Sequence, residues 1–433
     1  MSRAKLVPIA IVITLALSLA ACTPTVTPGQ SSSPSSPSSS QGAAKGTTDL
    51  SADIKGVPGA TAPVDAAFTA AFGGFSAALL NQVASGQDNY LVSPLSVELA
   101  LAMTANGASG ATLDQMLAVL APGLTLDKLN AILPSYAKGL PTSDNAKFHV
   151  ANSIWCNNSS AVDIKRDFLQ TNANYYGAGT FSTGFDEAGL ADMNAWVNSN
   201  TDGMIPQLLD QLEPNAAVVL LSALAFDAQW SQQYGAEAID DGEFTTGAGQ
   251  KVPAKYMIGA EGTYIDDGLA TGFMKPYVGD QYEFVALLPN TGVTMADYLK
   301  SLTGGGLMKT LAGARTAYVE TVLPEFSFDY SAELVDVLKA MGMKDAFSVP
   351  PADFSKIGTI GGEPLAIAKV THKTTIEVTP VGTRAGAGTG VQGAGAAPDP
   401  LEVRLDRPFV FGIVDSATKL PVFLGVMNSP AMG

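Results

Sequence analysis

Apolar positions along the chain change their period several times, and each change predicts an element. Phe68, Phe72, Phe75, Leu79 and Val83 recur at helical spacing, which predicts an amphipathic helix against a core. Pro94 opens a second helix whose residues 95–103 are nearly all apolar, so it is buried all round. Asn106-Gly107 ends it. Residues 112–120 and 126–140 predict further helices, and 191–200 one that carries Trp196. Residues 148–155 read as a strand. Residues 218–230 are apolar apart from Ser222, Asp227 and Gln229, which suits a long buried strand. Strands are predicted over 282–288 and 318–323, a helix over 332–341, a long strand over 366–379, and closing strands over 409–414 and 422–426. Helices come early and strands late. That order predicts an α+β domain rather than a wound parallel sheet, and no internal repeat argues for a solenoid.

Two stretches stand outside this pattern. Residues 381–400 lie between strand-like segments yet hold about twenty residues, mostly Gly, Ala and Thr, where a connection of a few is usual. They read as a flexible linker or as a loop whose small side chains let it enter a sheet as a strand. The second is the N-terminus. A short basic start precedes an apolar run over 6–20, too short for a comfortable membrane span and shaped like a secretory signal. Leu19-Ala20-Ala21-Cys22 resembles a bacterial lipobox, which implies cleavage before Cys22 and a lipid on its sulfur. Residues 1–21 are then the signal peptide. Residues 22–62 form the lipidated cysteine and a disordered tether, since 23–62 are rich in Ser, Pro, Thr, Gly and Gln and lack an apolar period. Residues 63–433 form the folded domain.

Composition narrows the function. A net charge of −16 without a Lys/Arg cluster argues against nucleic acid as a partner. With Cys22 lipidated, Cys156 has no cysteine to pair with, and its apolar surroundings suit a small buried hydrophobe better than a nucleophile. The two histidines, His149 and His372, have no Cys or His at ligand spacing, so neither a metal nor a cofactor is expected. A hydrolase using His372 lacks a Gly-x-Ser-x-Gly elbow. A solute-binding lipoprotein would need two α/β lobes.

The motifs, taken together, resemble the serpin family. Asn89-Tyr90-Leu91-Val92-Ser93-Pro94-Leu95-Ser96-Val97 with Gly107-Ala108 is similar to the start of the serpin core. Asn194-Ala195-Trp196-Val197-Asn198 with Thr201-Asp202-Gly203-Met204-Ile205 is similar to its Asn-x-Trp-Val segment. Leu221-Ser222-Ala223-Leu224-Ala225-Phe226 up to Trp230 resembles the long central strand. Ala352-Asp353-Phe354-Ser355, His372-Lys373 with Ile376-Glu377-Val378, and Arg407-Pro408-Phe409-Val410-Phe411 follow in family order.

The resemblance implies three β-sheets, about eight or nine helices and an exposed reactive-centre loop. It also implies a serine protease inhibitor that is itself no enzyme. A target protease cuts the loop, which then inserts as a new strand and traps the covalent acyl complex. About fourteen residues at roughly 3.4 Å each carry the protease on the order of 45 Å. About a dozen new ladder hydrogen bonds at ~1 kcal/mol each match the ~5–15 kcal/mol that holds a protease domain together.

The hinge is then Gly382, Thr383, Arg384, Ala385, Gly386, Ala387, Gly388 and Thr389. The family's shutter, where the sheet opens, falls on Ser93, Ser96 and His372, with Ser222 where the family has Asn. The breach, where insertion begins, falls on Trp230. Pro380 replaces an acidic residue and Arg384 a Glu. Counting from either end of the loop places the reactive bond after Ala396 or Ala397, so the target has a small S1 pocket, elastase-like or subtilisin-like. The expected protein is a monomer, extracytoplasmic, and lipid-anchored to the cell membrane or secreted, touching the membrane through its anchor only. The alternative is a non-inhibitory, surface-tethered binding module of the same fold.

Overall fold

The computed structural model describes residues 7–14, 46–50, 53–84, 86, 88–143, 146–158, 162–213, 216, 218–360, 363–383 and 401–430. Among them lie nine α-helices and three sheets, an α+β architecture. Helix Ala66–Val83 starts where the Asp65 side chain accepts from the Phe68 amide, and it buries the Phe68, Phe72, Phe75, Leu79 and Val83 stripe. Helix Pro94–Ala105 has Ser93 as N-cap and Pro at its first position, and all twelve of its residues are buried. It packs on the long strand Val218–Gln229 on one side and on Pro421–Met427 of the second sheet on another.

The large sheet runs, in spatial order, Phe326–Glu333, Leu365–Val378, Val7–Thr14, Val218–Gln229, Ala146–Asn157, Gly179–Thr183 and Thr48–Asp49. The short strand Gly382–Thr383 also pairs with Val218–Gln229. The second sheet runs Leu401–Arg404, Arg315–Pro324, Lys251–Asp266, Ala270–Pro276, Tyr282–Pro289, Phe409–Asp415, Pro421–Met427 and Tyr90–Val92, with Ile239–Thr245 beside Lys251–Asp266. Gly358–Ile360 and Val162–Ile164 form a third, two-stranded sheet.

Two differences from the sequence expectations have physical causes. The helix expected over 332–341 begins only at Val335, as Val335–Met341. Ala332 and Glu333 extend the edge strand, opposite His372 and Thr371, and the Glu333 carboxylate accepts from the Val370 amide at 2.7 Å. The sixteen-residue strand Lys251–Asp266 was not legible, because Pro253, Gly259 and Gly262 read as breakers. It persists because neighbours pair along its length. Part of the apolar run over 6–20 forms a strand, Val7–Thr14, inside the large sheet.

Glu98 is fully buried on helix Pro94–Ala105, and neither carboxylate oxygen finds a hydrogen-bond partner among the described residues. Burial pushes its carboxyl well above the usual range, so the fold favours its protonated form. The unfolded chain ionises this group above its ordinary value of 4.5. Its contribution to stability is therefore complete below that pH and is lost as pH rises toward the folded value, at about 1.4 kcal/mol per pH unit. Glu98→Gln should leave the melting temperature unchanged at pH 4 and raise it at pH 8. Equal shifts at both pH values in calorimetry would contradict this account.

Candidate functional site

The site forms where Val218–Gln229 ends and the chain leaves Leu365–Val378. Both strands are long, and their upper ends converge on Trp230. The Trp230 indole N–H donates to the Thr379 carbonyl at 2.8 Å, and its backbone N–H donates to Val381 at 2.9 Å. The Tyr234 amide donates to the Pro380 carbonyl at 2.9 Å. Residues 379–382 turn tightly, with the Thr379 amide and hydroxyl both donating to the Gly382 carbonyl, at 3.0 and 2.9 Å. Pro380 fits here because the turn uses its carbonyl and needs no N–H from it.

Gly382 and Thr383 then pair antiparallel with Gln229 and Ala228. A Cβ on Gly382 would stand 2.4 Å from the Ala228 carbonyl oxygen and 2.6 Å from Gln229 Cα, so only glycine allows this approach. Thr383 is fully buried, and its hydroxyl shares a 2.7 Å hydrogen bond with the Tyr277 phenol. Tyr277 stacks on Trp230 with centroids 4.5 Å apart and planes 18° apart. Beneath this stack lies a buried ion pair. Lys275 Nζ donates to Glu261 Oε1 at 2.8 Å and to the Gln232 carbonyl at 2.9 Å, 4.4 Å from the ring centre of Tyr234 and 5.4 Å from that of Trp230. Burial raises the Glu261 carboxyl and lowers the Lys275 ammonium, and each partner opposes the other's shift.

The lower part of the gap is organised by His372, which is fully buried. Its Nε2 accepts from the Ser93 amide at 3.1 Å, which makes Nε2 the unprotonated nitrogen. Ser93 Oγ accepts from the Ser96 amide at 3.3 Å, and Ser96 Oγ donates to the Ser93 carbonyl at 3.2 Å. Two residues along the strand, Thr374 Oγ1 donates to the Leu91 carbonyl at 2.7 Å. The strand therefore grips the chain just before helix Pro94–Ala105.

The structure thus brings Ser93, Ser96 and His372 together, and Gly382, Thr383 and Trp230 together. Ser222 stands apart. It pairs with Ile13, which on its other side pairs with His372, and its hydroxyl finds no partner among the described residues. Arg384, Ala385, Gly386, Ala387, Gly388, Thr389, Ala396, Ala397 and Cys22 lie outside the described residues. Cys156 is buried and its thiol is pushed up to about 12, which makes it a poor nucleophile. Sequence reasoning missed Tyr277, Thr379, Lys275, Glu261 and Thr374. Lys275, in strand Ala270–Pro276, and Tyr277, just after it, were within reach of it, since that strand closely precedes one that was read correctly, but no periodicity marks a contact with Thr383 about a hundred residues away.

With this geometry in view, the comparisons are consistent. The profile of the serpin family, serine protease inhibitors, matches residues 70–430, and the chain belongs to that family. An uncharacterised serpin-like protein of Thermococcus kodakarensis is 30% identical, over 84% of this chain and 86% of its own. The human protein Z-dependent protease inhibitor is 28% identical over 83% and 82%. Among solved structures, the thermophilic serpin tengpin in its native state superposes with a TM-score of 0.84 at 38% identity, covering 89% of this chain and all of that one. Its latent state gives 0.76 at 35%, covering 86% and all of that chain. Human thyroxine-binding globulin shares the fold, at 22% identity with a TM-score of 0.73, over 84% of this chain and 98% of its own.

Tyr277→Phe should leave the Thr383 hydroxyl buried without its partner and loosen the hinge by ~1–3 kcal/mol. Hydrogen exchange at the Thr383 amide should speed up, and adding Thr383→Val should restore much of the protection. A double variant as loose as the single one would show that the phenol does not hold the hinge.

Proposed function

We propose that this chain inhibits serine proteases as a suicide substrate. The observation that carries the reading is the pairing of Gly382 and Thr383 with the top of Val218–Gln229, a ladder that the following residues would extend on insertion. The loop that follows joins this strand to Leu401–Arg404, which pairs parallel with residues 319–322 of the second sheet. It is therefore tethered at both ends to different sheets. Of the two candidate bonds, a protease serine attacks the carbonyl carbon of Ala396 rather than Ala397, because a cut after Ala397 would put Pro398 directly after the bond, which hinders serine proteases. The Ala396–Ala397 bond breaks, Ala397 leaves as a free amine, and Ala396 stays esterified to the enzyme. The severed loop is then held at one end only and zips into the gap ahead of deacylation. Small residues before the bond suit an elastase-like or broad subtilisin-like S1 pocket.

The non-inhibitory alternative draws on the two departures at the hinge. Pro380 is accommodated by the turn, as its carbonyl bond to Tyr234 supports. On insertion, Arg384 would alternate with Thr383 to the opposite face of the strand, where its charge would meet solvent. For location, we propose that Cys22 carries the lipid anchor and residues 23–62 the tether that holds the inhibitor outside the cytoplasm. Cys22→Ser should release the protein into the medium. A variant that stays with the membrane fraction rules the anchor out.

Mixed with elastase, the protein should give a covalent band that survives boiling in SDS. Thr383→Arg forces an unpaired charge into a fully buried position, so cleavage should continue while the covalent band disappears. Ala396→Arg should move complex formation toward trypsin-like enzymes. Covalent complexes of the wild type with trypsin and none with elastase would show that the reactive bond lies elsewhere.

A further inference from the structure

The gap that admits the hinge from above is occupied from below. Val7–Thr14 lies between Leu365–Val378 and Val218–Gln229 and pairs with both. It runs parallel to each, with residues 9–14 against 218–223 and residues 7–14 against 365–373. The hinge runs the other way, antiparallel to Val218–Gln229. The two segments therefore approach each other head on along one strand edge.

The register fixes where they collide. Gly382 faces Gln229 and Thr383 faces Ala228, so paired numbers sum to 611. Continued insertion would set Ala387 against Leu224 and Gly388 against Ala223. Ala223 already pairs with Thr14. Among the described residues, only the places at 224–227 are unpaired along that edge, which leaves room for residues 384–387. That is roughly 14 Å at ~3.4 Å per residue, against the ~45 Å that full insertion covers. The same strand separates Ser222 from His372, since Ile13 is the partner of both.

The segment is chemically suited to a strand held on both edges. Six of its eight residues are β-branched and none is charged. Its proline, Pro8, lies one residue before pairing with Val218–Gln229 begins at Ile9, so no donor is missing along that edge. We infer that Val7–Thr14 is an intramolecular strand ligand of the insertion gap. Any copy of the chain that retains it is held in a state that a protease can cut but that cannot trap the protease, and loss of the segment before Cys22 opens the gap. The ligand class is an extended, uncharged, β-branched peptide entering in the parallel sense. The inference rests on the loop-insertion reading for its consequence, and on backbone pairing alone for its existence.

The test compares the full chain, the full chain with Ile11→Pro, and a chain beginning at Cys22. Ile11 pairs with Leu220 and Val370, and proline there removes an N–H from the middle of the ladder. With elastase, the full chain should give mostly cleaved product and at least tenfold less covalent complex than the other two. Hydrogen exchange should show protected amides over residues 9–14 in the full chain and lose them in Ile11→Pro. A synthetic peptide of residues 6–15, added to the chain beginning at Cys22, should raise its melting temperature and suppress its trapping. Equal trapping by all three chains overturns the inference and leaves the inhibitor reading intact. If none of the chains traps, the inhibitor reading fails and the exchange data decide alone. Protected amides at residues 9–14 then still support the strand ligand, and freely exchanging ones overturn it.

Discussion

Two buried strands, Val218–Gln229 and Leu365–Val378, each turn a row of backbone donors and acceptors toward the gap between them. Buried peptide groups without partners are costly, so something must fill that gap. The sheet can close on itself, or accept the hinge from above, or hold a separate strand from below. In the structure the last two coexist, with Gly382–Thr383 at one end and Val7–Thr14 at the other. The inhibitory cycle proposed for the protein is a competition for these same hydrogen bonds.

Polar contacts hold both ends of the gap. At the upper end, the Thr379–Gly382 turn is held by the carbonyl bonds of residues 379–381 to Trp230 and Tyr234, and by the buried phenol–hydroxyl contact of Tyr277 with Thr383. The Lys275–Glu261 pair fixes Gln232 and the aromatic stack from beneath. A buried pair of this kind adds little net stability over apolar packing, and breaking it is expensive because one charge is left alone. It therefore favours a defined breach over a loose one. At the lower end, His372 and Thr374 grip residues 91–93, which ties the strand to the most deeply buried helix. Movement of the strand and movement of that helix are thereby coupled.

Much of this was written in the chain. The phenylalanine stripe from Phe68, the wholly apolar helix after Pro94 and the long run over 218–230 announce themselves through periodicity and burial demand, which are local properties. The ordered motifs around Ser93, Trp196, Trp230, His372 and Phe409 carried the family, and with it the expected hinge and shutter positions. Elements defined by their neighbours were not legible. Lys251–Asp266 keeps its strand through Pro253 and two glycines only because adjacent strands supply the ladder. Ala332 belongs to an edge strand because His372 lies opposite it. The Tyr277–Thr383 hydrogen bond joins residues 106 apart in sequence, and no spacing rule reaches that far.

The sequence alone determined which segments are apolar enough to be buried and which loop is built of small side chains, because side-chain size and hydrophobic period act within a few residues. Tertiary structure decided the rest: which strand edges face each other across the gap, which carbonyls the Pro380 turn presents, and which segment fills the places opposite 218–223. Those outcomes depend on backbone groups that every residue carries alike. Only their arrangement in space distinguishes one partner from another.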